Sequence, residues 1–315
     1  MKTFVPDYYR DFACIADRCR HSCCIGWEID VDEDSYRRYQ ALEGPMGREI
    51  RSRIALEDGV PHYILGEGDR CPFLREDGLC RQILALGEEA LCQICTDHPR
   101  FRNCWAGRTE VGLGLCCEAA GDLILKRKEP FRLVLLSEDE EAVEAGPEEQ
   151  TLLSFRDMLL SILLDRSCTL DQRLEELLET CGGMPDRPLS AWAVPLLSLE
   201  RLDEGWTEQL EGLKTFDGKI DKLFHSPEWE CAWEQAAVYF LYRHLPAALE
   251  DGDPGSKAAF AVLSARLLRA LCQLHLQKHG SVTLDDLVEY ARMYSSEIEY
   301  SEENLWQLFD WLTVE

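Results

Sequence analysis

Eleven of the fifteen cysteines in this 315-residue chain fall between Cys14 and Cys117. Nothing else in the sequence limits the possible folds as strongly. The total is odd, and Met1 to Cys19 shows no basic patch followed by an apolar stretch, so the expectation is a soluble, cytoplasmic protein rather than a secreted disulfide framework. A dense thiol cluster in a reducing compartment points to a metal or an iron–sulfur centre. The other four cysteines, Cys168, Cys181, Cys231 and Cys272, lie in sequence with a helical period and are expected to be core thiols.

The cysteines come in groups. Cys14, Cys19, Cys23 and Cys24 precede Gly26 and Trp27. Cys71 and Cys80 flank Arg75-Glu76-Asp77-Gly78, a hairpin signal. Cys92 and Cys95 form a C-x2-C pair with His98 three residues on, and Cys116-Cys117 closes the series. A structural zinc site usually takes two such knuckles, and only Cys92/Cys95 has that form. A four-ligand zinc site would leave many thiols unexplained, so iron–sulfur is favoured over zinc. The spacing also misses C-x3-C-x2-C, because Gly26 stands where the third cysteine would be. His98 reads as structural or capping.

Charge is distributed the other way. The net charge is −26, of which residues 137–315 carry −22. That sign argues against a phosphate-binding role, so no nucleic-acid partner is expected. The acidic half reads as solvated helix faces, with attraction of a Lys-rich partner as the sharper alternative. The most apolar stretch, Ser190 to Leu199, is short and broken by Pro195, so no membrane span or membrane partner is expected.

The N-terminal part predicts short pieces. Glu28 to Val31 alternates like a strand edge, and Asp32 or Asp34 caps a helix through Tyr36, Tyr39 and Leu42. Gly87 to Cys95 reads as a short helix. Thr109 to Leu115 reads as a strand, with Gly112 marking a close approach and a helix starting beyond Cys116. After the acidic stretch Ser137 to Gln150 the period is helical. Leu152, Phe155, Leu159 and Leu163 share a face, as do Trp229, Trp233 and Ala237 with Phe240, and Leu263, Leu267, Leu271 and Leu274. Two last helices are read over Asp285 to Ser295 and Glu302 to Leu312. The expected fold is mainly α: a Cys-rich domain with a few short strands (1–136), an acidic linker (137–150) and an α-helical bundle of six or more helices (151–315). No H-E-x-x-H, P-loop, G-x-S-x-G or dinucleotide fingerprint is present.

Several blocks resemble the flagellin lysine-N-methylases, within a broader group of cysteine-cluster proteins described as zinc or iron chelators. They are Tyr9 to Ile29, Cys71 to Arg100, Glu110 to Leu125, Trp233 to Asp253 and Ser295 to Leu305. The resemblance implies a cytoplasmic enzyme that methylates flagellin lysines with S-adenosylmethionine. It also implies an iron–sulfur cluster, 4Fe-4S by type, held among Cys14, Cys19, Cys23, Cys24, Cys71, Cys80, Cys95 and Cys116. Cys117 stands where the family has proline, Tyr300 stands where it has histidine, and Cys92 and Cys104 fall outside its pattern.

Methyl transfer to lysine requires a neutral amine, and the donor carries a sulfonium that suits aromatic faces and carboxylates. Trp27, Arg100 and Glu110 are the candidate substrate- or donor-binding residues, with Arg100 suited to a carboxylate. Their structural alternatives are core packing for Trp27 and surface pairing for Glu110 and Arg100. No residue is singled out as catalytic. The rival reading is a non-catalytic cysteine-cluster module binding zinc or iron for protein contacts. A redox or iron-handling maturation protein is a third.

Overall fold

A computed structural model describes residues 1–138 and 145–313. In chain order its first part runs β1 (Lys2–Pro6), α1 (Glu33–Ala41), α2 (Gly44–Ser52), β2 (Ile54–Glu57), β3 (Val60–Tyr63), α3 (Arg81–Leu86), α4 (Gln93–Asp97), β4 (Arg100–Cys104), β5 (Arg108–Leu113), α5 (Glu118–Leu125) and β6 (Leu133–Glu138). Helices follow: α6 (Pro147–Leu163), α7 (Leu170–Thr180), α8 (Ala193–Ser198), α9 (Glu204–Leu213), α10 (Pro227–His244), α11 (Ala248–Asp251), α12 (Pro254–His279), α13 (Leu284–Tyr294) and α14 (Glu302–Leu312). A π-turn, Ser295–Glu299, continues α13. The fold is mainly α, as the sequence indicates.

Two compact units divide the chain differently from the sequence expectation. One is Ala13–Arg100, and the other joins Met1–Phe12 to Phe101–Glu315. The expected first domain, 1–136, is thus split, because β1 pairs in parallel with β5 and antiparallel with β6, drawing both ends of that segment into one sheet, β4-β5-β1-β6. Of the expected linker 137–150, residues 139–144 lie outside the described residues, as do the last two of the expected bundle, 151–315.

The smaller unit is built from turns and caps. Asp32 caps α1 by accepting the Ser35 N–H at 2.9 Å, as the sequence predicts. Ile29 and Val31 point inward, and Glu28 and Asp30 outward. The unforeseen hairpin β2–β3 turns on Asp58 and Gly59, both with positive φ (50° and 88°), the signature of a type I′ turn. Gly87 ends α3 with φ +89° and opens only a short 3-10 turn, Glu88–Ala90, and the α-helix that follows starts at Gln93. A small core of Ile29, Val31, Tyr39, Ile50, Tyr63 and Phe73 takes in Cys71 and Cys92.

In the larger unit α10 and α12 are buried almost all round, so neither is amphipathic. By length and composition α12 could cross a bilayer, which corrects the choice of 190–199 as the most apolar stretch. Its side chains instead form the middle of this unit's core. Gly112 sits where a Cβ would meet the Phe101 ring, so the close approach read from the sequence is present. Of the four scattered cysteines only Cys272 is fully buried, and Cys168 is exposed, because it lies in the turn between α6 and α7.

Candidate functional site

Backbone pairing assembles a group of thiols in the smaller unit. The segment through Cys24 and Gly26 runs antiparallel to Asp69–Cys71: the Cys71 N–H donates to the Cys24 carbonyl at 2.8 Å, and the Gly26 N–H to Asp69 at 3.1 Å. A tight turn at Arg75–Gly78 then returns the chain to Cys80, which caps α3. Cys92 caps α4, whose start is held by a 2.7 Å bond from the Gln93 N–H to the Asp32 carboxylate. One carboxylate therefore fixes the starts of both α1 and α4.

The thiols so placed interact. The Sγ atoms of Cys92 and Cys95 are hydrogen-bonded at 3.5 Å, and this bond holds the Cys92 thiol below its ordinary range while raising that of Cys95. A hydrogen bond from Cys23 lowers Cys24 to about 7, aided by the Ser22 hydroxyl and the Arg70 guanidinium against the effect of burial. Burial pushes Cys71 up to about 12, and the charges of Cys24 and Cys80 add to it. Burial also raises Cys80, reinforced by Cys24 and Cys92. Five thiols from three segments thus lie within electrostatic reach of one another. An all-sulfur donor set of this kind suits iron–sulfur chemistry or zinc. Cys92, absent from the family pattern, lies among these thiols.

Of the other expected ligands, Cys23 touches this group through its hydrogen bond to Cys24. Cys14 is exposed and accepts the Ala16 N–H, and Cys19 bonds the His21 carbonyl. Cys116 belongs to the larger unit, where burial raises its thiol to about 12 against a hydrogen bond from Tyr300. Cys104 is exposed.

Of the three binding candidates, Trp27 lines a groove. Its indole N–H bonds the Cys23 carbonyl, and its ring lies 6.0 Å from that of His98. The groove is completed by Glu28, Ala55, His62, Ile64 and Asp69. The side chains of Glu28, Glu57 and His62 converge within 4.8 Å beside it. Arg100 donates to the Thr96 carbonyl at 3.0 Å, at the end of α4. Glu110 pairs, but not on the surface: it is wholly buried, and Arg156 grips it bidentately at 2.6 and 3.0 Å with Arg108 also in contact. A carboxylate so committed holds β5 to α6 and is not placed to take a proton from a substrate.

A second polar centre lies in the larger unit, built from residues inside the quoted blocks but not singled out among them. The buried Glu299 carboxylate receives the Tyr239 hydroxyl at 3.0 Å, Arg243 Nε at 3.3 Å and His244 Nε2 at 2.5 Å. The Tyr239 hydroxyl accepts Arg243 Nη1 at 2.7 Å and the Leu115 N–H at 3.1 Å, filling both its lone pairs. Burial alone would raise the Glu299 carboxyl; Arg243 and His244 hold it below its ordinary value. Arg243 lies between the Phe101 and Tyr300 rings, 4.8 and 5.1 Å from their centroids. The network links α10, the π-turn and the end of β5 next to Cys116. The spacing of Tyr239 and Arg243, four residues and so about one turn apart on a largely buried helix, with His244 next to Arg243, is the signal that would have found them.

Comparison with known proteins finds partial matches. Residues 191–314 match the FliB lysine N-methylase C-terminal domain. The chain is 27% identical over 47% of its length to the lysine-N-methylases of Salmonella choleraesuis and Salmonella typhimurium. It is 28% identical over 41% of its length to the flagellar biosynthetic protein FliU of Salmonella muenchen, and covers 79% of that protein. The chain spans only 39% of the length of the two methylases it matches. No solved structure matches it. The C-terminal part of the chain is thus similar to a lysine N-methylase domain, and the chain resembles these relatives over less than half of its length.

Proposed function

We propose that this protein is a lysine N-methyltransferase that acts on flagellin or another Lys-rich protein in the cytoplasm, uses S-adenosylmethionine and carries an iron–sulfur cluster, 4Fe-4S by type. The observation that carries the reading is the convergence of Cys24, Cys71, Cys80, Cys92 and Cys95 in a chain related to lysine methylases. These five thiols are the residues that would hold the cluster, which would supply a redox-active iron centre there.

The chain's own residues supply cation binding. The Trp27 face with Glu28 and Asp69 makes a groove suited to a positive group, whether the donor's sulfonium or the substrate's ammonium. In the transfer, the neutral amine attacks the donor methyl carbon, the carbon–sulfur bond breaks with its electron pair going to sulfur, and the new ammonium then releases a proton. Carboxylates around the groove stabilise the cation before and after transfer, and Glu28 is placed to accept that proton. Asp32 and the Cys24–Cys71 backbone pairing fix the thiol-bearing segments beside Trp27.

The test is anaerobic purification followed by iron, sulfide and zinc analysis, and incubation with flagellin and isotopically labelled S-adenosylmethionine. Iron and sulfide in about equal amounts, together with label on flagellin lysines, support the reading. Zinc without sulfide and no transfer would turn it to the non-catalytic metal-binding module.

A further inference from the structure

The β2–β3 hairpin borders a second groove, lined by Leu56, Val60 and Pro61 of the hairpin, Asp30 to Tyr36 at the start of α1, and α4. Its apolar side chains are unusually open: Leu56 is 61% exposed and Val60 47%. Among the described residues no lysine or arginine lines it, while Asp30, Glu33 and Asp97 stand at its edge with the ionised, capping Asp32. Exposed aliphatic groups ringed by carboxylates suit a ligand with both apolar and cationic side chains, and the field repels nucleic acid and acidic peptides. Helix α4 connects this groove to the thiol group, because Ile94 and Asp97 face the groove while Cys92 and Cys95 join the sulfurs.

We propose that this groove docks an extended, lysine-containing segment of the protein substrate. Aliphatic side chains of the segment rest on Leu56 and Val60, and its lysines face Asp30, Glu33 and Asp97. The proposal rests on the methyltransferase reading for the identity of the partner. The segment would be held beside α4, one helix away from the thiol centre.

The test uses the full chain and a fluorescent peptide of alternating Lys and Val, with a counterpart carrying Glu for Lys. Wild type is expected to bind the Lys peptide and not the Glu peptide. D30N/E33Q should weaken binding about tenfold and flatten its salt dependence, and Leu56→Ser should weaken it severalfold. All the substituted side chains are at the surface, and thermal melts check that the variants fold. Equal binding of the two peptides, or unchanged affinity in both variants, overturns the proposal. Labelled methyl transfer on the same proteins separates the two readings. Transfer with KM unchanged in both variants overturns the docking site and leaves the enzyme. Selective peptide binding lost in the variants, without transfer in wild type, supports the groove and removes the enzyme.

Discussion

The hydroxyl of Tyr239 accepts the Leu115 N–H at 3.1 Å. It therefore anchors the residue before Cys116 to a helix 124 positions away in sequence, while donating to Glu299. One turn along, Tyr242 is also buried, but its hydroxyl has no partner. The two tyrosines should respond in opposite ways to the same change. Tyr239→Phe leaves the Leu115 amide unpaired and removes one of the three partners of the Glu299 carboxylate, and should cost about 1–3 kcal/mol in urea unfolding. Tyr242→Phe removes an unsatisfied hydroxyl and should be neutral or stabilising. Equal losses would show that packing, not hydrogen bonding, dominates at both.

Glu110 and Arg156 form a buried, bidentate pair. Removing Arg156 leaves the buried Glu110 carboxylate with Arg108 as its remaining partner, so Arg156→Met should destabilise by up to about 3–5 kcal/mol, and the joint replacement Glu110→Leu with Arg156→Met should recover part of it. Methyl transfer per folded molecule should be unchanged in the joint variant. A selective fall in kcat with stability intact would restore Glu110 as a participant in the reaction.

Cys92 and Cys104 both lie outside the family's cysteine pattern, yet they are placed differently. Cys92 is buried against Cys95 and within reach of Cys80, whereas Cys104 is exposed at the end of β4. Cys92→Ser should lower metal and sulfide per chain, while Cys104→Ser should leave both unchanged. Metal analysis decides between them, and full retention in Cys92→Ser would remove that thiol from the donor set.

These contrasts show which parts were legible in the sequence. The Asp32 cap and the strand glycine at Gly112 are local features that spacing reveals, whereas α10 and α12 are buried almost all round and their apolar spacing marks only that they are helices. The Asp58-Gly59 turn is equally local, but proline in Val60-Pro61-His62-Tyr63 weakens the strand pattern beside it. The Glu110–Arg156 pair spans 46 positions and the parallel β1–β5 pairing over a hundred, and no local pattern announces either. The division into units went astray for the same reason, since it turns on β1 joining a sheet whose other strands come much later. For the thiols, counting found the group, but membership needed the α4 geometry that turns Cys92 inward.

His244 supplies a pH signature. Burial lowers its folded pKa below the ordinary value, with the Glu299 hydrogen bond opposing it. The unfolded chain therefore takes up this proton first, near pH 6.5. Stability from the neutral imidazole is complete above that pH and is lost as pH falls toward the folded pKa, by at most about 1.4 kcal/mol per pH unit. Glu299 has a depressed pKa as well, and its contribution falls only below about pH 4.3. Urea midpoints between pH 7.5 and 5 should decline in wild type and less so in His244→Gln. Parallel curves would assign the decline to other groups.

The tightest steric constraint in the larger unit lies between β5 and the Arg243 stack. A Cβ on Gly112 would fall 2.2 Å from Phe101 Cζ, within the ring's own volume. The ring cannot simply retreat, because Arg243 lies over it at 4.8 Å and Tyr239 and Tyr242 pack at 6.3 and 5.8 Å. Gly112→Ala should therefore cost about 1–3 kcal/mol through overpacking. Phe101→Leu alone should also destabilise, by loss of the aromatic contacts. The double variant should be more stable than the sum of the two losses, since the smaller side chain makes room for the new methyl. Additive losses in a urea-unfolding cycle would mean that β5 shifts as a whole and that the ring is not what makes glycine necessary there.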